Sequence, residues 1–191
     1  MPALTIDLIA SLDGYGSAQG WPGYWGREGP EYLRWLDEQE EHTALLGATT
    51  YRLMAQLVQE APDEAAGMTA QPKVVFSSTL AEPLTWANTE LVAGDAVEAV
   101  RAMKRDHPRP LRTVGSFALG RALLRGGLVD RLRIVVFPVV TGVSGAGRVL
   151  EGWPDVTLDM VESRTFDGRL QLLEYAPTVL DGPPGGDRSS T

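Results

Sequence analysis

At 191 residues with no cysteine, the chain excludes disulfides, thiolate nucleophiles and thiolate metal sites at once. A net charge of −8 sets it against nucleic-acid phosphates, and its two histidines, His42 and His107, lie far apart among polar neighbours, so no metal is expected. A composition of 43% hydrophobic and 22% charged residues suits a globular domain that buries roughly 70% of its unfolded surface, and no apolar run approaches the roughly 18 to 20 residues of a membrane span.

The first strand is predicted over 3–10, ALTIDLIA, where Asp7 interrupts the apolar stretch and no basic leader precedes it. A cytoplasmic protein with no membrane partner is expected. The glycines of SLDGYGSAQG then break the strand. Pro30 opens a helical pattern over 30–41, with Tyr32, Trp35 and Leu36 at spacings of three and four. TALLG is a short strand ending in Gly47, and the run from Thr49 returns to helical spacing through Tyr51, Met54 and Val58. An acidic, alanine-rich connection over 60–70 is expected to be mobile.

PKVVFSST reads as the next strand, with Pro72 at its first position. TELVA follows, and Asp95 with Glu98 forms a capping pair for a helix through about 105 that HPRP terminates. LRTV leads into VGSFALGRALL, where an apolar strand turns over small residues into a helix that stops at Gly126-Gly127. RLRIVVFPVV is another strand, and TGVSGAG is expected to be a flexible loop. VTLDMVESRTF and RLQLLEYA flank Asp167-Gly168, the dipeptide of a type I′ hairpin turn. The expected organisation is one α/β domain over 1–178, a mainly parallel sheet covered on both faces and closed by an antiparallel hairpin, followed by a disordered tail over 179–191.

Three strand ends fall into line: Gly47-Ala48-Thr49-Thr50, Ser77-Ser78-Thr79 and Gly115-Ser116-Phe117-Ala118. In a parallel sheet such ends share one edge, and helix N-termini there favour anions by roughly 0.3 to 1 kcal/mol each. Together they suit the phosphates of a dinucleotide, although each Ser or Thr also fits a plain helix cap. Common phosphate formulas fail. Gly115-x4-Gly120 has P-loop glycine spacing without its Lys and Ser/Thr, no strand-following G-x-G-x-x-G exists, and Ser144 misses the serine-hydrolase elbow by its spacing.

SLDG, LLGATTY, KVVFSST and VGSFALGRALLRGGLVDRLRIVVFPVVTG resemble, in order and spacing, the dihydrofolate-reductase-like superfamily, and most closely the reductase domain of the bifunctional riboflavin-biosynthesis deaminase/reductase. The resemblance spans roughly residues 3 to 176. It implies a three-layer α/β/α fold and a reductase taking NADPH, with NADH not excluded, against a small planar substrate. It further implies Gly47, Thr49 and Thr50 at the cofactor's phosphates, Ser77 and Ser78 near an adenosine 2′-phosphate, and Gly115, Ser116, Phe117, Ala118 and Leu119 around the pyrophosphate. Ala10 and Leu12 would touch the nicotinamide through backbone, with Asp13 at the substrate pocket; of the aromatic rings over 15–35, Trp21 and Trp25 are the pocket candidates and Trp35 is expected to pack.

The chain departs from the family at identifiable positions. Dihydrofolate reductase carries arginines for the 2′-phosphate where this chain has Ala48 and Ala118, and the riboflavin enzyme carries a substrate glutamate where this chain has Val114. Glu31 falls where dihydrofolate reductase places the acid that binds and helps protonate the pterin, so it is the candidate catalytic group, set against a plain role as a first-turn acid beside Pro30. Tyr15, Trp21, Tyr24, Trp25, Tyr32 and Trp35 crowd a glycine-rich segment that suits a lid over a flat ligand. The resemblance implies a homodimer. The rival reading is a non-catalytic ligand-binding or assembly protein that keeps the fold.

Overall fold

The computed structural model describes residues 1–63 and 65–184. In chain order the elements are β1 (Leu4–Ser11), β2 (Tyr15–Ala18), β3 (Trp21–Pro22), α1 (Pro30–Asp37), β4 (Thr43–Gly47), α2 (Ala48–Glu60), α3 (Ala66–Ala70), β5 (Lys73–Phe76), β6 (Thr89–Val92), α4 (Ala96–Asp106), β7 (Leu111–Val114), α5 (Phe117–Arg125), β8 (Arg131–Phe137), β9 (Gly145–Arg148), β10 (Val156–Phe166) and β11 (Leu170–Val179). Eight strands form one sheet in the order β10-β11-β8-β1-β7-β4-β5-β6. The six from β8 to β6 run parallel, while β11 is antiparallel to β8 and β10 to β11.

Side-chain alternation sends each strand into two cores. Leu4, Leu45, Val74 and Phe76 pack with Val100 and Leu123 beneath α4 and α5, whereas Leu46 and Val75, one residue out of phase, pack with Tyr51 and Ala55 of α2. Continuous apolar runs are what a sheet buried on both faces requires. The expected three-layer domain is therefore present.

Local signals act as read. Asp95 Oδ1 accepts from the N–H groups of Val97 and Glu98 and caps α4. After α5, Gly127 takes φ +65° while Leu128 N–H donates to Leu123 O and Gly127 N–H to Leu124 O, the paired bonds of a Schellman stop. Asp167 and Gly168 sit at φ +52° and +65°, the type I′ pattern.

Four expectations are corrected. The 141–147 segment is no free loop: a short 3₁₀ turn, Gly142–Ser144, leads into β9, which pairs with β2 in a second sheet of order β3-β2-β9. Glycine-rich composition hid these strands because the backbone ladder, not side-chain pattern, forms them. The 60–70 connection contains α3, and Lys73 Nζ donates to the carbonyls of Met68, Thr69 and Gln71, tying down its C-terminal end. Helix α1 stops at Asp37, short of 41. Ordered structure passes 178, with β11 reaching Val179 and Leu180 N–H donating to Asp155 O at 2.9 Å; the rest of the expected tail, from 185, lies outside the described residues.

Candidate functional site

Parallel pairing brings the carboxyl ends of β4, β5 and β7 to one edge, and α2 and α5 both start there. The chain turns from β7 into α5 through two left-handed residues, Gly115 at φ +53° and Ser116 at φ +56°. A Cβ at position 115 would meet nothing closer than Thr50 Oγ1 at 3.9 Å, so backbone conformation, not space, calls for glycine. Ser116 Oγ accepts from Gly47 N–H at 2.9 Å and lies 2.9 Å from Thr50 Oγ1 and 3.0 Å from Val114 O. One hydroxyl thus clasps the β4–α2 junction to the β7–α5 junction.

Both helix starts are bare. Neither α2 nor α5 has a side-chain cap or an acidic residue in its first turn, whereas α4, starting from the same edge at the outermost strand, has Asp95 and Glu98. First-turn N–H groups have no intrahelical acceptor, so two converging uncapped N-termini form an electropositive rim suited to an anion. The side chain of Phe117 plays a different part: added Cβ atoms at Gly16 of β2 and Gly147 of β9 would run into its ring, so Phe117 pins the small sheet against α5. Leu119 is buried in the core. Of residues 115–119, then, the side chains of Ser116, Phe117 and Leu119 hold the framework, and Ala118 is exposed.

Beside β4, the segment after β5 is organised by Ser77, whose Oγ accepts from the N–H groups of Thr79 and Leu80 at 3.0 Å. That hydroxyl is committed to the turn; Ser78 and Thr79 are the exposed ones. Arg52 of α2 reaches across and donates from Nη2 to Thr79 Oγ1 at 3.0 Å. Sequence reasoning passed over Arg52, although its position in the opening turns of a helix starting at Gly47 was legible.

At the end of β1, Ala10 is buried and paired with Val136, and Leu12 N–H donates to Val139 O at 2.9 Å. Asp13 lies next to them, its carboxylate accepting from the N–H groups of Thr141 and Gly142; the Ser11 hydroxyl first, and then these backbone bonds, hold its pKa down at about 2. It closes the loop after β8 onto the β1–β2 turn. Trp21 Nε1 donates to Trp25 O, and the Trp21 ring meets Tyr24 edge-on at 5.3 Å. The lid expectation fails for Tyr24 and Tyr32, which with Trp35, expected to pack, are buried against Phe137 and Phe166; Tyr15 and Trp21 are half-buried and Trp25 stays 40% exposed. A glycine-rich aromatic segment became a core layer because β8 and β11 offered it apolar surface.

Glu31, in the first turn of α1, is exposed and accepts from Asp167 N–H at 2.6 Å through Oε2. Asp167 in turn accepts from the N–H groups of Glu31 and Tyr32. Under α1 lies a cluster that the sequence did not disclose. Asp7 of β1 sits 3.8 Å from Arg112 of β7 and 3.6 Å from Arg133 of β8, Arg133 bonds Glu174 of β11 at 2.7 Å, and Gln39 Oε1 accepts from both arginines. Burial pushes the Asp7 carboxyl up, against the pull of the two guanidiniums. Trp35, with Arg133 beneath its ring at 5.0 Å, covers the cluster, which joins four strands rather than forming an open site. Among the described residues no group of three His, Asp or Glu side chains is placed to hold a metal, and no helix is long and apolar enough to cross a membrane.

Sheet order and layers together define a dihydrofolate-reductase-like α/β fold. The chain belongs to the RibD C-terminal domain family, whose model matches residues 2–172. It is 25% identical to the Bacillus subtilis protein YyaP over 181 residues, covering 90% of this chain and 93% of that one. Its fold is similar to that of a putative riboflavin biosynthesis protein from Shewanella sp. PV-4, with a TM-score of 0.71, 18% identity, and 92% and 99% of the two chains covered. It is also similar to dihydrofolate reductase from Enterococcus faecalis complexed with NADP(H), with a TM-score of 0.59, 13% identity, and 92% and 96% covered.

Proposed function

We propose that this chain is an NAD(P)H-dependent reductase acting on a small, flat, unsaturated substrate of the pterin or pyrimidine kind. The observation that carries this is the Ser116 clasp, which holds two uncapped, acid-free helix N-termini side by side at the carboxyl edge of the sheet. The rim fits a pyrophosphate: its donors are main-chain N–H groups, and the left-handed backbone at Gly115 keeps side-chain bulk away. When bound, a reduced nicotinamide supplies the hydride. The protein's part is to orient and to exclude. Residues 47–50 and 115–119 hold phosphates through backbone, Ala10 and Leu12 border the nicotinamide, and Asp13 steadies the loop beside them. The proton comes from water or from Glu31, whose Oε1 has no partner among the described residues. Val114, where the riboflavin enzyme has a glutamate, disfavours a pyrimidine ribityl phosphate.

The rival reading, a non-catalytic binding or assembly protein, draws on Gly47 N–H and Leu12 N–H already having acceptors within the protein. Titration with NADPH and NADH separates the two. Micromolar binding with thermal stabilisation supports the reductase, and no binding of either coenzyme supports the rival. A homodimer is proposed through the terminal strands, where the edge strand β10 exposes Leu158 at 41%, Met160 at 58% and Val161 at 47%. A monomeric mass by sedimentation equilibrium would remove that proposal.

A further inference from the structure

We propose that Arg52 selects the coenzyme by binding the 2′-phosphate of NADPH, a task for which the residues at the family's arginine positions, Ala48 and Ala118, have no charge. The inference rests on the reductase reading above and names the phosphate chemistry of that same site. Arg52 lies on α2, whose N-terminus forms half of the rim, and its guanidinium is anchored at Thr79 Oγ1, 3.0 Å away, in the turn that follows β5. Strands β4 and β5 are direct neighbours with Gly47 opposite Phe76. Phe76 therefore stands about one strand spacing, roughly 5 Å, from Gly47, and the Ser78–Thr79 turn follows two to three residues beyond it, on the β5 side of the rim. A phosphate on the adenosine ribose must lie a short way from the pyrophosphate, on the side away from the nicotinamide. With β1 and β7 on one side of β4, β5 is that other side.

Charge argues the same way. The chain carries a net charge of −8, so a trianionic or tetra-anionic coenzyme needs local cations, and bare N–H groups supply only partial charges. Arg52 has no carboxylate partner among the described residues, and its present bond is to a neutral hydroxyl. Exchange of that hydroxyl for a phosphate replaces a neutral acceptor with a charged one that a guanidinium can grip through two N–H groups. Ser78 and Thr79 are exposed beside it and supply hydroxyl donors, while Ser77 is occupied in shaping the turn. NADH presents only ribose hydroxyls at this point and gains nothing from the guanidinium.

The test is calorimetric titration of the full chain and of Arg52→Gln and Arg52→Lys with NADPH, NADH and adenosine 2′,5′-bisphosphate. The unmodified chain is expected to favour NADPH over NADH by about 10- to 100-fold, the range of one charge-assisted contact set. Arg52→Gln should abolish that preference and weaken the bisphosphate equally while leaving NADH affinity unchanged, which also shows that the variant is folded. Arg52→Lys should fall between. A preference retained in Arg52→Gln, or a native preference for NADH, overturns the inference and leaves the reductase reading standing. Failure of the unmodified chain to bind either coenzyme overturns both.

Discussion

Asp167 and Glu31 cap each other across 136 positions of sequence: the Asp167 carboxylate receives the first N–H groups of α1, and the Glu31 carboxylate receives Asp167 N–H. Helix α1 has glycine at its N-cap and no cap of its own. An added Cβ at Gly29 would overlap the Asp167 carboxylate, so the missing side chain is what admits a cap from the β10–β11 turn. Asp167→Ala should cost about 1 kcal/mol for the lost cap and a further 1 to 2 kcal/mol for alanine at positive φ. Asp167→Asn, which tolerates that backbone and keeps one acceptor, should cost less than half as much. Urea unfolding of both variants measures the difference, and an Asp167→Ala loss no larger than the about 1 to 2 kcal/mol of alanine at positive φ would show that the cap contributes nothing.

The same contact gives Glu31→Gln two separable consequences. A glutamine keeps an acceptor for Asp167 N–H, so stability should change by less than about 1 kcal/mol. If Glu31 delivers a proton, turnover should fall by about 10²-fold or more with coenzyme affinity intact. Unchanged turnover in a folded variant assigns the proton to water.

Ser116 holds the rim together, and glycine is the substitution that tests it cleanly because the backbone there is left-handed. Ser116→Gly removes the hydroxyl bonds but relieves the Cβ strain of a left-handed residue, so stability should change by less than about 1 kcal/mol while NADPH binds more weakly as the two helix starts separate. Ser116→Ala keeps that strain and loses the bonds, so it should lose about 1 kcal/mol. Chemical denaturation read beside coenzyme titration distinguishes stability from binding. Tighter binding in Ser116→Gly would mean that the freed Gly47 N–H matters more than the clasp.

His42 sets an acid limit on the fold. Its ring is held neutral, with burial pushing its pKa down to about 4, while Gln71 and the Glu40 carbonyl take up its two nitrogens. Because the unfolded histidine titrates near 6.5, the unfolded chain takes up the proton first. Stability from this site is therefore complete above about pH 6.5 and drains away as pH falls toward 4. Asp13, depressed to about 2, works in a lower window: its contribution is present above about pH 4 and is lost as pH falls through 2. His42→Gln should flatten the stability profile between pH 6.5 and 4 without touching the lower window, as pH-dependent urea midpoints will reveal.

Much of this protein could be read in one dimension. Apolar runs such as KVVF and TALLG announce strands buried on both faces, Asp95 announces a cap, Gly126-Gly127 a stop and Asp167-Gly168 a tight turn, because each depends on forces within a few residues. The line of strand ends at Gly47, Ser77 and Gly115 was legible too, since parallel order carries every carboxyl end to one edge. Tertiary structure decided the rest. It turned Tyr24, Tyr32 and Trp35 into a core layer, made strands of glycine-rich segments and gathered Asp7, Arg112, Arg133 and Glu174 from four strands. It also spent Ser116 on a clasp and turned Arg52 toward Thr79. Local sequence specifies backbone geometry over a few residues, but which side chains meet depends on strand order and register, and those are settled only when all the apolar faces are buried at once.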